Sequence, residues 1–470
     1  MTKNKLLLLF SCNNDMPWQR YILNNRIILF VVLCAINMVG GTYYGYNMSS
    51  VGVVLAPLSQ TYGLYPSNST VIDIGNQFGS YIVQGLVAAS VLFGGMIGAM
   101  TGIYLVDVVG RRGCLLVISV TGIIGIIGET FIPAYPAIII FRVILGLSIG
   151  LSNVACSILT NELSSIKQRG IIGPIFSIGL NIGSIAALAL GYGFLYVPLY
   201  AYNLIFGVTF IWPIAFIFLY VIIPESPIVV EMKASGGISK ASWRYLSSAM
   251  KLLYLDKKSI WNLIIGLVIC ANQMITGATT YMIYAPNIIR ASGIAENISP
   301  IISSIVLLSW SLFTVLLTFW WCGRIPRRVS ILIGTVIMFL TNLGLGFDIY
   351  FAQGEIRAYI AIPLFAIYYI GLNMSYGSLT YTILSELFPA ETRALAVSQL
   401  SSVMWLLSLL MNLFFLPIST AIGAYSIIWF FAGISFISIF ILAIFLPETK
   451  KISLDKQSVI SDIELNNTNP

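Results

Sequence analysis

The sequence predicts an all-α membrane protein in which twelve transmembrane helices form two similar six-helix halves. Hydrophobic residues make up 58% of the 470 residues and charged residues only 9%, whereas a soluble domain carries about 25% charged residues. The apolar runs are about twenty residues long and lack strict alternation, which favours helices over a β-barrel in lipid. Short charged motifs also recur at an offset of about 220 residues, the mark of a duplicated unit.

Three charged motifs occur once in each half. They are a Glu followed seven residues later by an Arg, an adjacent pair of Arg, and a Pro-Glu pair. Their positions are Glu162/Arg169 and Glu386/Arg393, Arg111–Arg112 and Arg327–Arg328, and Pro224–Glu225 and Pro447–Glu448. In so apolar a chain, two parallel halves indicate a membrane transporter with its site between them.

Hydropathy places six helices in each half. The first six predicted spans are 27–56, 78–103, 113–132, 136–160, 170–195 and 203–223, and the second six are 260–289, 300–321, 329–349, 357–385, 394–418 and 423–446. The predicted organisation is an N-terminal segment (1–26), a first half (27–223), a linker of cytoplasmic surface helices (224–259), a second half (260–446) and a polar tail (447–470).

Lysine and arginine cluster in alternate loops, and this asymmetry predicts the orientation. By the positive-inside rule the basic loops, and with them both termini, are cytoplasmic. Asn68, in the sequon Asn68-Ser69-Thr70, then lies in the first outside loop and is predicted to be glycosylated. We expect an integral, multi-pass protein of the plasma membrane.

Composition and motifs argue against several function classes. The basic residues are scattered one short loop at a time, which argues against nucleic-acid binding. No G-x4-G-K-[ST] loop occurs, so ATP-driven transport is unsupported. No nucleophile–base pair or metal cluster indicates an enzyme. A receptor that signals through its cytoplasmic ends would need a longer tail. The expected partners are a small-molecule substrate and membrane lipid, and no cofactor is predicted.

Seven charged residues at helix ends suggest a gate. They are Asp107, Arg111, Arg112, Glu162, Arg169, Glu386 and Arg393. An acid beside two Arg, or a Glu near an Arg at matched spacing in both halves, can pair while one face of a transporter is closed. We expect such pairs to hold the two halves together at the cytoplasmic mouth and to part as it opens. For the Arg pairs, a role as positive-inside anchors is the alternative.

Eight motifs, in order, resemble the sugar porter family of the major facilitator superfamily, over nearly all twelve spans. They are Tyr44-Gly45-Tyr46-Asn47, Asp107 to Arg112, Arg142-x3-Gly146-x3-Gly150, Glu162 to Gly170, Pro224-Glu225-Ser226-Pro227, Gln273 to Pro286, Glu386 to Arg393 and Pro447-Glu448-Thr449-Lys450. The resemblance implies the major facilitator fold and facilitated (uniport) transport of a hexose such as glucose by alternating access.

The resemblance also implies a set of substrate-binding residues. In the family, amide and indole groups meet the sugar hydroxyls; the corresponding polar and aromatic positions here are Gln273, Trp405, Asn373, Thr279, Tyr381, Ser177 and Asn47. Ser177 and Thr279 replace amides of the family, and Tyr381 replaces a Trp, so the pocket is a diverged polar–aromatic one. For each of these residues, interhelical hydrogen bonding or packing is the alternative role.

The sequence also bears on the driving force. Asn47 stands where the family's proton symporters place an Asp, and the chain contains no His, which favours uniport. Arg142 lies within a span and needs backbone carbonyls or Glu129 as partners. A proton-coupled sugar symporter that uses Glu129, and a carrier of another small polar solute such as a polyol or inositol, are the alternatives.

Overall fold

The computed structural model describes residues 25–61, 74–132, 134–164, 166–197, 201–226, 250–291, 300–321, 324–351 and 355–448. These ranges contain twelve helices that are long and apolar enough to cross a membrane, which confirms the predicted number. Asn68, both chain ends and residues 227–249 of the predicted linker lie outside the described residues.

The first half contains six spanning helices. Their bounds are α1 Arg26–Thr61, α2 Ile74–Val109, α3 Arg111–Phe131, α4 Tyr135–Leu163, α5 Ile166–Phe194 and α6 Ala201–Ile222. Helices α1 and α2 extend beyond the predicted apolar spans, because an α-helix satisfies its own backbone hydrogen bonds outside lipid as well as inside it. Helix α6 contains one 3-10 turn, Val208–Phe210.

The second half also contains six spanning helices, two of which are interrupted. Their bounds are α7a Lys257–Ile275 and α7b Ala278–Ala291, α8 Pro300–Trp321, α9 Arg327–Phe351, α10a Glu355–Met374 and α10b Tyr376–Leu387, α11 Ala390–Ile422 and α12 Ala424–Phe445. The predicted spans 260–289 and 357–385 are therefore each broken near the middle. A helical run at 250–255 precedes α7a, within the linker that is predicted to be helical.

The two halves repeat one packing scheme. Helix α1 packs on α5, α2 on α4, and α3 on both α4 and α6. Their counterparts six places later pack alike: α7 on α11, α8 on α10, and α9 on both α10 and α12. Between the halves, α2 contacts α11 and α5 contacts α8, which are equivalent contacts under the repeat, and α7b contacts α1.

Small residues allow α2 and α4 to approach closely. A Cβ added at Gly94 would lie 2.0 Å from the carbonyl oxygen of Val143, and one added at Gly150 would lie 2.1 Å from that of Gly95. In lipid, close van der Waals contact of this kind drives helix association. The α2–α4 pair therefore forms a tightly packed wall of the first half.

Candidate functional site

The gating charges of the first half lie where α3 begins, at the end of the bundle that we name the arginine end. The guanidinium of Arg111 contacts both carboxylate oxygens of Glu162 on α4, with Nη2–Oε1 2.9 Å and Nε–Oε2 3.0 Å. This forked contact is the strong form of an Arg–carboxylate pair. The structure thus pairs Glu162 with Arg111, because the ends of α3 and α4 lie side by side.

The second half repeats this pair. Arg327, at the start of α9, forms an ion pair with Glu386 on α10b. The expected partner of Glu386, Arg393, donates instead from Nε to the carbonyl oxygen of Phe388 at 3.4 Å. The acid in each half therefore pairs with the first Arg of the Arg-Arg motif. Two further predicted gating residues, Asp107 and Arg169, lie within α2 and α5, and their side chains fall outside the described part.

The Pro-Glu motifs cap the helices that carry the Arg pairs. Glu225, which follows α6, accepts a hydrogen bond from the backbone N–H of Arg112 at 3.1 Å. Glu448, which follows α12, accepts from the backbone N–H groups of Arg327 and Arg328 at 3.1 and 3.2 Å. A carboxylate is favoured there by the unpaired N–H groups of the first turn and by the helix dipole.

The second Arg of each pair completes the network. Arg112 donates from Nε to the Tyr220 carbonyl oxygen at 2.7 Å, and Arg328 donates to that of Ala443. Each of these contacts joins helices of one half, namely α3, α4 and α6 or α9, α10 and α12. We expected such charges to hold the two halves to each other. The described contacts instead tie together three helix ends within each half.

Hydrogen bonds between neutral groups join the halves nearer the middle of the bundle. The Ser177 hydroxyl on α5 donates to the Gly377 carbonyl oxygen on α10b at 2.7 Å. The Ser398 hydroxyl on α11 donates to the Ala99 carbonyl oxygen on α2 at 2.9 Å. Ser177 and Ala99 lie about ten residues, or about 15 Å, from the arginine end of their helices. The predicted substrate residue Ser177 is therefore part of a contact between the halves.

Aromatic rings from both halves lie beside these bonds, in a group that we name the central cluster. The ring centroid of Tyr44 on α1 lies 5.2 Å from that of Trp405 on α11 and 6.4 Å from that of Phe176 on α5. The hydroxyl of Tyr381 on α10b accepts a weak 3.4 Å hydrogen bond from the Asn153 amide on α4, and we include both residues in the cluster. Although Tyr381 lies between helices of both halves, 36% of its surface is accessible. The surrounding helices therefore do not close off the cluster completely.

Trp405 can occupy its place because α2 has no side chain there. A Cβ added at Gly95 would lie 2.5 Å from the indole ring. Trp405 is buried, with 5% of its surface accessible. It lies between α2 of the first half and the helices of the second half, to which it belongs. Any movement of the halves against each other must therefore slide or release this ring.

Gln273 on α7a contributes an unused hydrogen-bond acceptor. Its Oε1 atom is buried and has no hydrogen-bond partner among the described residues. Helix α7a packs on α10b, the helix that carries Tyr381 of the central cluster. A buried acceptor without a partner is costly, and a ligand hydroxyl would satisfy it.

Two other predicted substrate residues are engaged within the second half. The Thr279 hydroxyl on α7b accepts a 2.8 Å hydrogen bond from Ser408 on α11. The Asn373 amide on α10a donates to the Ser311 hydroxyl on α8 at 3.0 Å. These are interhelical bonds, the alternative that the sequence left open. They hold the helices that surround the cluster.

Asn47 lies inside the first half, beside a buried ion pair. Its side-chain amide donates to the backbone carbonyl oxygen of Tyr43 at 2.8 Å. Its backbone carbonyl oxygen accepts a hydrogen bond from Arg142 at 3.4 Å. Arg142 pairs with Glu129, Nη1–Oε2 3.3 Å, and both side chains are fully buried. Arg142 also donates to the Val87 carbonyl oxygen at 3.1 Å. Both kinds of partner expected for Arg142 are present, and Asn47 supports this pair instead of lining the central cluster.

Three members of the central cluster escaped the sequence analysis as site residues. Asn153 carried a usable signal, since a polar side chain in the middle of an apolar span usually faces the interior or a cavity. Tyr44 stood inside a recognised motif without an assigned role. Phe176 carried no signal, because an apolar ring that lines a cavity cannot be told from one that faces lipid by sequence alone.

Comparison with known proteins identifies a family of similar sequences. The sequence model of the family described as "Sugar (and other) transporter" matches residues 33–242 and 228–460. The glucose transporter GlcP of Staphylococcus epidermidis is 24% identical over 459 residues, covering 92% of this chain and 96% of its own. The major myo-inositol transporter IolT of Bacillus subtilis is 25% identical over 471 residues, covering 92% and 94%.

A solved structure agrees in fold. The crystal structure of a D-xylose-proton symporter matches with a TM-score of 0.74 at 21% identity, covering 90% of this chain and 99% of that one. This likeness confirms the predicted architecture, the major facilitator fold of twelve helices in two six-helix halves.

Proposed function

We propose, from the premise that this chain belongs to the sugar (and other) transporter family, that it is a uniporter of a hexose such as glucose. The chain is an integral multi-pass membrane protein, and the relatives named above are transporters rather than enzymes. The central cluster carries the proposal, because it is an uncharged polar–aromatic surface contributed by both halves. A site between two halves can face either side of the membrane in turn.

The chemistry of the cluster suits a sugar. A hexose has an apolar ring face and a rim of hydroxyl groups. The apolar face can pack on Trp405 and Tyr44, while the hydroxyl rim can bond to Gln273, Asn153 and the phenol of Tyr381. Since all of these groups are neutral, a sugar needs no counter-charge to enter.

The remaining predicted site residues receive different roles in this proposal. Thr279 and Asn373 fix the walls, Asn47 supports the buried ion pair, and Ser177 is released to the substrate when α5 and α10b part. The gate then consists of the neutral bonds and the packing between the halves. The charge networks at the arginine end keep the helix ends of each half together as it rocks.

Uniport is favoured by the position of the buried charges. The Arg142–Glu129 pair is closed within the first half, and the position of Asn47 offers no titratable side chain. Proton symport is the second candidate, because Glu129 Oε1 is buried without a hydrogen-bond partner among the described residues and could take a proton. The relation to a myo-inositol transporter makes a cyclic polyol the alternative substrate class.

The proposal includes an orientation in the membrane. The arginine end and both termini are cytoplasmic, the membrane is the plasma membrane, and Asn68 is glycosylated on the outside, following the positive-inside rule. Replacing Asn68 by Gln should abolish a glycan-dependent shift on a gel in a glycosylating host. A terminal tag that is cleaved by protease outside intact cells would overturn the orientation.

The direct test is transport by the purified protein in proteoliposomes. Vesicles loaded with unlabelled glucose should take up labelled glucose by counterflow, and myo-inositol and xylose loaded in parallel should exchange less. Counterflow of inositol but not of any hexose would replace the substrate class. Absence of counterflow with all three, from protein that remains monodisperse, would overturn the transport proposal.

A further inference from the structure

The break in α7 lies at a glycine with a left-handed backbone conformation. Helix α7a ends at Ile275 and α7b begins at Ala278. Between them, Gly277 adopts φ +104°, a conformation that residues with a Cβ rarely adopt. A Cβ there would also lie 2.8 Å from the ring of Tyr281. Glycine therefore permits the chain to bend at this point without strain, but it does not fix the angle between the two segments.

Asn342 on α9 contacts both sides of this break. Its amide nitrogen donates to the carbonyl oxygen of Thr276, at the end of the first segment, at 3.2 Å. Its amide oxygen accepts from the hydroxyl of Tyr281, in the first turn of the second segment, at 2.9 Å. Asn342 is fully buried, and one rigid amide thus spans the interruption with a donor on one side and an acceptor on the other.

Tyr368 on α10a makes a hydrogen bond to the first side of the break and a ring contact to the second side. The Tyr368 hydroxyl on α10a donates to the same Thr276 carbonyl oxygen at 3.1 Å. The ring of Tyr281 packs edge-on against Phe365, Tyr368 and Phe431 at centroid distances of 5.2, 5.0 and 5.9 Å. Tyr368 therefore satisfies the freed carbonyl group, whereas the Asn342–Tyr281 bond ties the second segment to α9.

The second segment is the part of α7 that meets the other half. Helix α7a starts at the arginine end, so α7b leads away from it, and α7b contacts α1 across the boundary between the halves. A change in the angle at the break therefore changes this contact at the end of the bundle opposite to the arginine end.

We propose that Asn342 is a positioning residue for transport, setting the angle of α7b through the Tyr281 hydroxyl and so the balance between the two orientations of the carrier. This inference rests on the proposed transport function. A single hydrogen bond within a membrane protein shifts an equilibrium by about 3-fold on average and by about 20-fold at most. Loss of the bridge should therefore change the balance measurably without unfolding the protein.

The test compares three variants that leave the central cluster intact. Asn342→Leu removes the bridge, Tyr281→Phe removes only the hydroxyl that the bridge holds, and Tyr368→Phe removes the one-sided bond to Thr276. In sided proteoliposomes, the readout is the half-saturation concentration from one face divided by that from the other. We expect Asn342→Leu and Tyr281→Phe to change this ratio about 3- to 20-fold in the same direction, and the double variant to change it no further.

Tyr368→Phe serves as the matched control and should leave the ratio within about twofold of the wild type. An unchanged ratio in Tyr281→Phe, or additive changes in the double variant, would overturn the positioning role. If Asn342→Leu does not fold, Tyr281→Phe still decides the question. A purely structural role would lower the melting temperature and leave the ratio unchanged.

A second readout does not depend on transport. Spin labels at the far ends of α7b and α9 should report a broader or shifted distance distribution in Tyr281→Phe than in Tyr368→Phe. If the wild type transports no sugar but the distances respond in this way, the proposed function is wrong and the role of Asn342 at the break in α7 is still supported. Identical distance distributions in the two variants would overturn the positioning role of Asn342, even if the protein is an active transporter.

Discussion

The two halves share their arginine end and differ in their interior. At the arginine end, Arg111–Glu162 and Arg327–Glu386 occupy equivalent places. In the interior, α1 and α4 of the first half run unbroken around a buried ion pair, whereas their counterparts α7 and α10 are interrupted and held by neutral side chains. The repeat thus preserves the contacts that join helix ends. In its interior, the repeat does not preserve helix continuity, since α1 and α4 are continuous whereas α7 and α10 are interrupted.

The first prediction concerns the fully buried ion pair of the first half, Arg142–Glu129, and it carries the largest effect. Arg142→Leu leaves Glu129 as an unpaired buried acid, and such a change costs about 3–5 kcal/mol of stability. We expect a large fall in the melting temperature of the detergent-solubilised protein. Replacing both residues by apolar ones should recover most of the loss, since buried pairs are often replaceable. An unchanged melting temperature in Arg142→Leu would mean that the first half is not held by this pair.

The second prediction concerns the division of substrate contacts between the halves. Gln273→Ala should raise the half-saturation concentration about 10- to 100-fold, because a lost hydrogen-bond partner in a dry site costs about 1–3 kcal/mol. Asn153→Ala should raise it only about 3-fold, since the first half offers a weaker contact. Gln399→Ala, which removes an exposed partner of Tyr254, is the matched control. Equal effects of Gln273→Ala and Asn153→Ala would contradict the asymmetry.

The third prediction tests the ion pairs at the arginine end, which occur in both halves. Glu162→Gln and Glu386→Gln should slow transport to a similar, few-fold extent, because a partly exposed ion pair contributes only about 1 kcal/mol. Double-mutant cycles identify the partners: Glu386→Gln should be non-additive with Arg327→Gln and additive with Arg393→Gln. The opposite pattern would restore the pairing expected from the sequence motif.

The sequence could predict the spans but not the partners. Hydropathy located twelve helices because lipid requires every span to be apolar and helical. The Glu-x6-Arg spacing suggested Glu386–Arg393, yet the choice between two nearby Arg depends on how α9 and α10b meet, which is a tertiary property. Neither helix break was predicted. Gly277 in α7 and Gly377 in α10 are possible signals, but many glycines in these spans lie inside unbroken helices, so glycine alone does not locate a break.

Prediction was also uneven within the candidate site. Gln273 and Trp405 combine a motif with a chemistry that suits a sugar. The structure packs Trp405 against the first half and gives Gln273 Oε1 no hydrogen-bond partner among the described residues. Thr279 and Asn373 have equally suitable chemistry, but neighbouring helices supply partners for them. A polar side chain in a span must be satisfied by something, and sequence alone does not say whether that is a substrate or a helix.

The fourth prediction concerns the smallest effect, an absence of coupling to protons. If the first half is a rigid platform, its Arg142–Glu129 pair stays closed throughout the cycle and exchanges no proton with the cavity. The chain has no His, so transport should vary little between about pH 5.5 and 7.5, the range in which an unperturbed His would titrate. Sugar should equilibrate across proteoliposomes and should not accumulate under an imposed proton gradient, and Glu129→Gln should leave this behaviour unchanged if it folds. Accumulation that an uncoupler abolishes would show that the first half opens during transport, and the buried pair would then be the coupling element rather than a structural support.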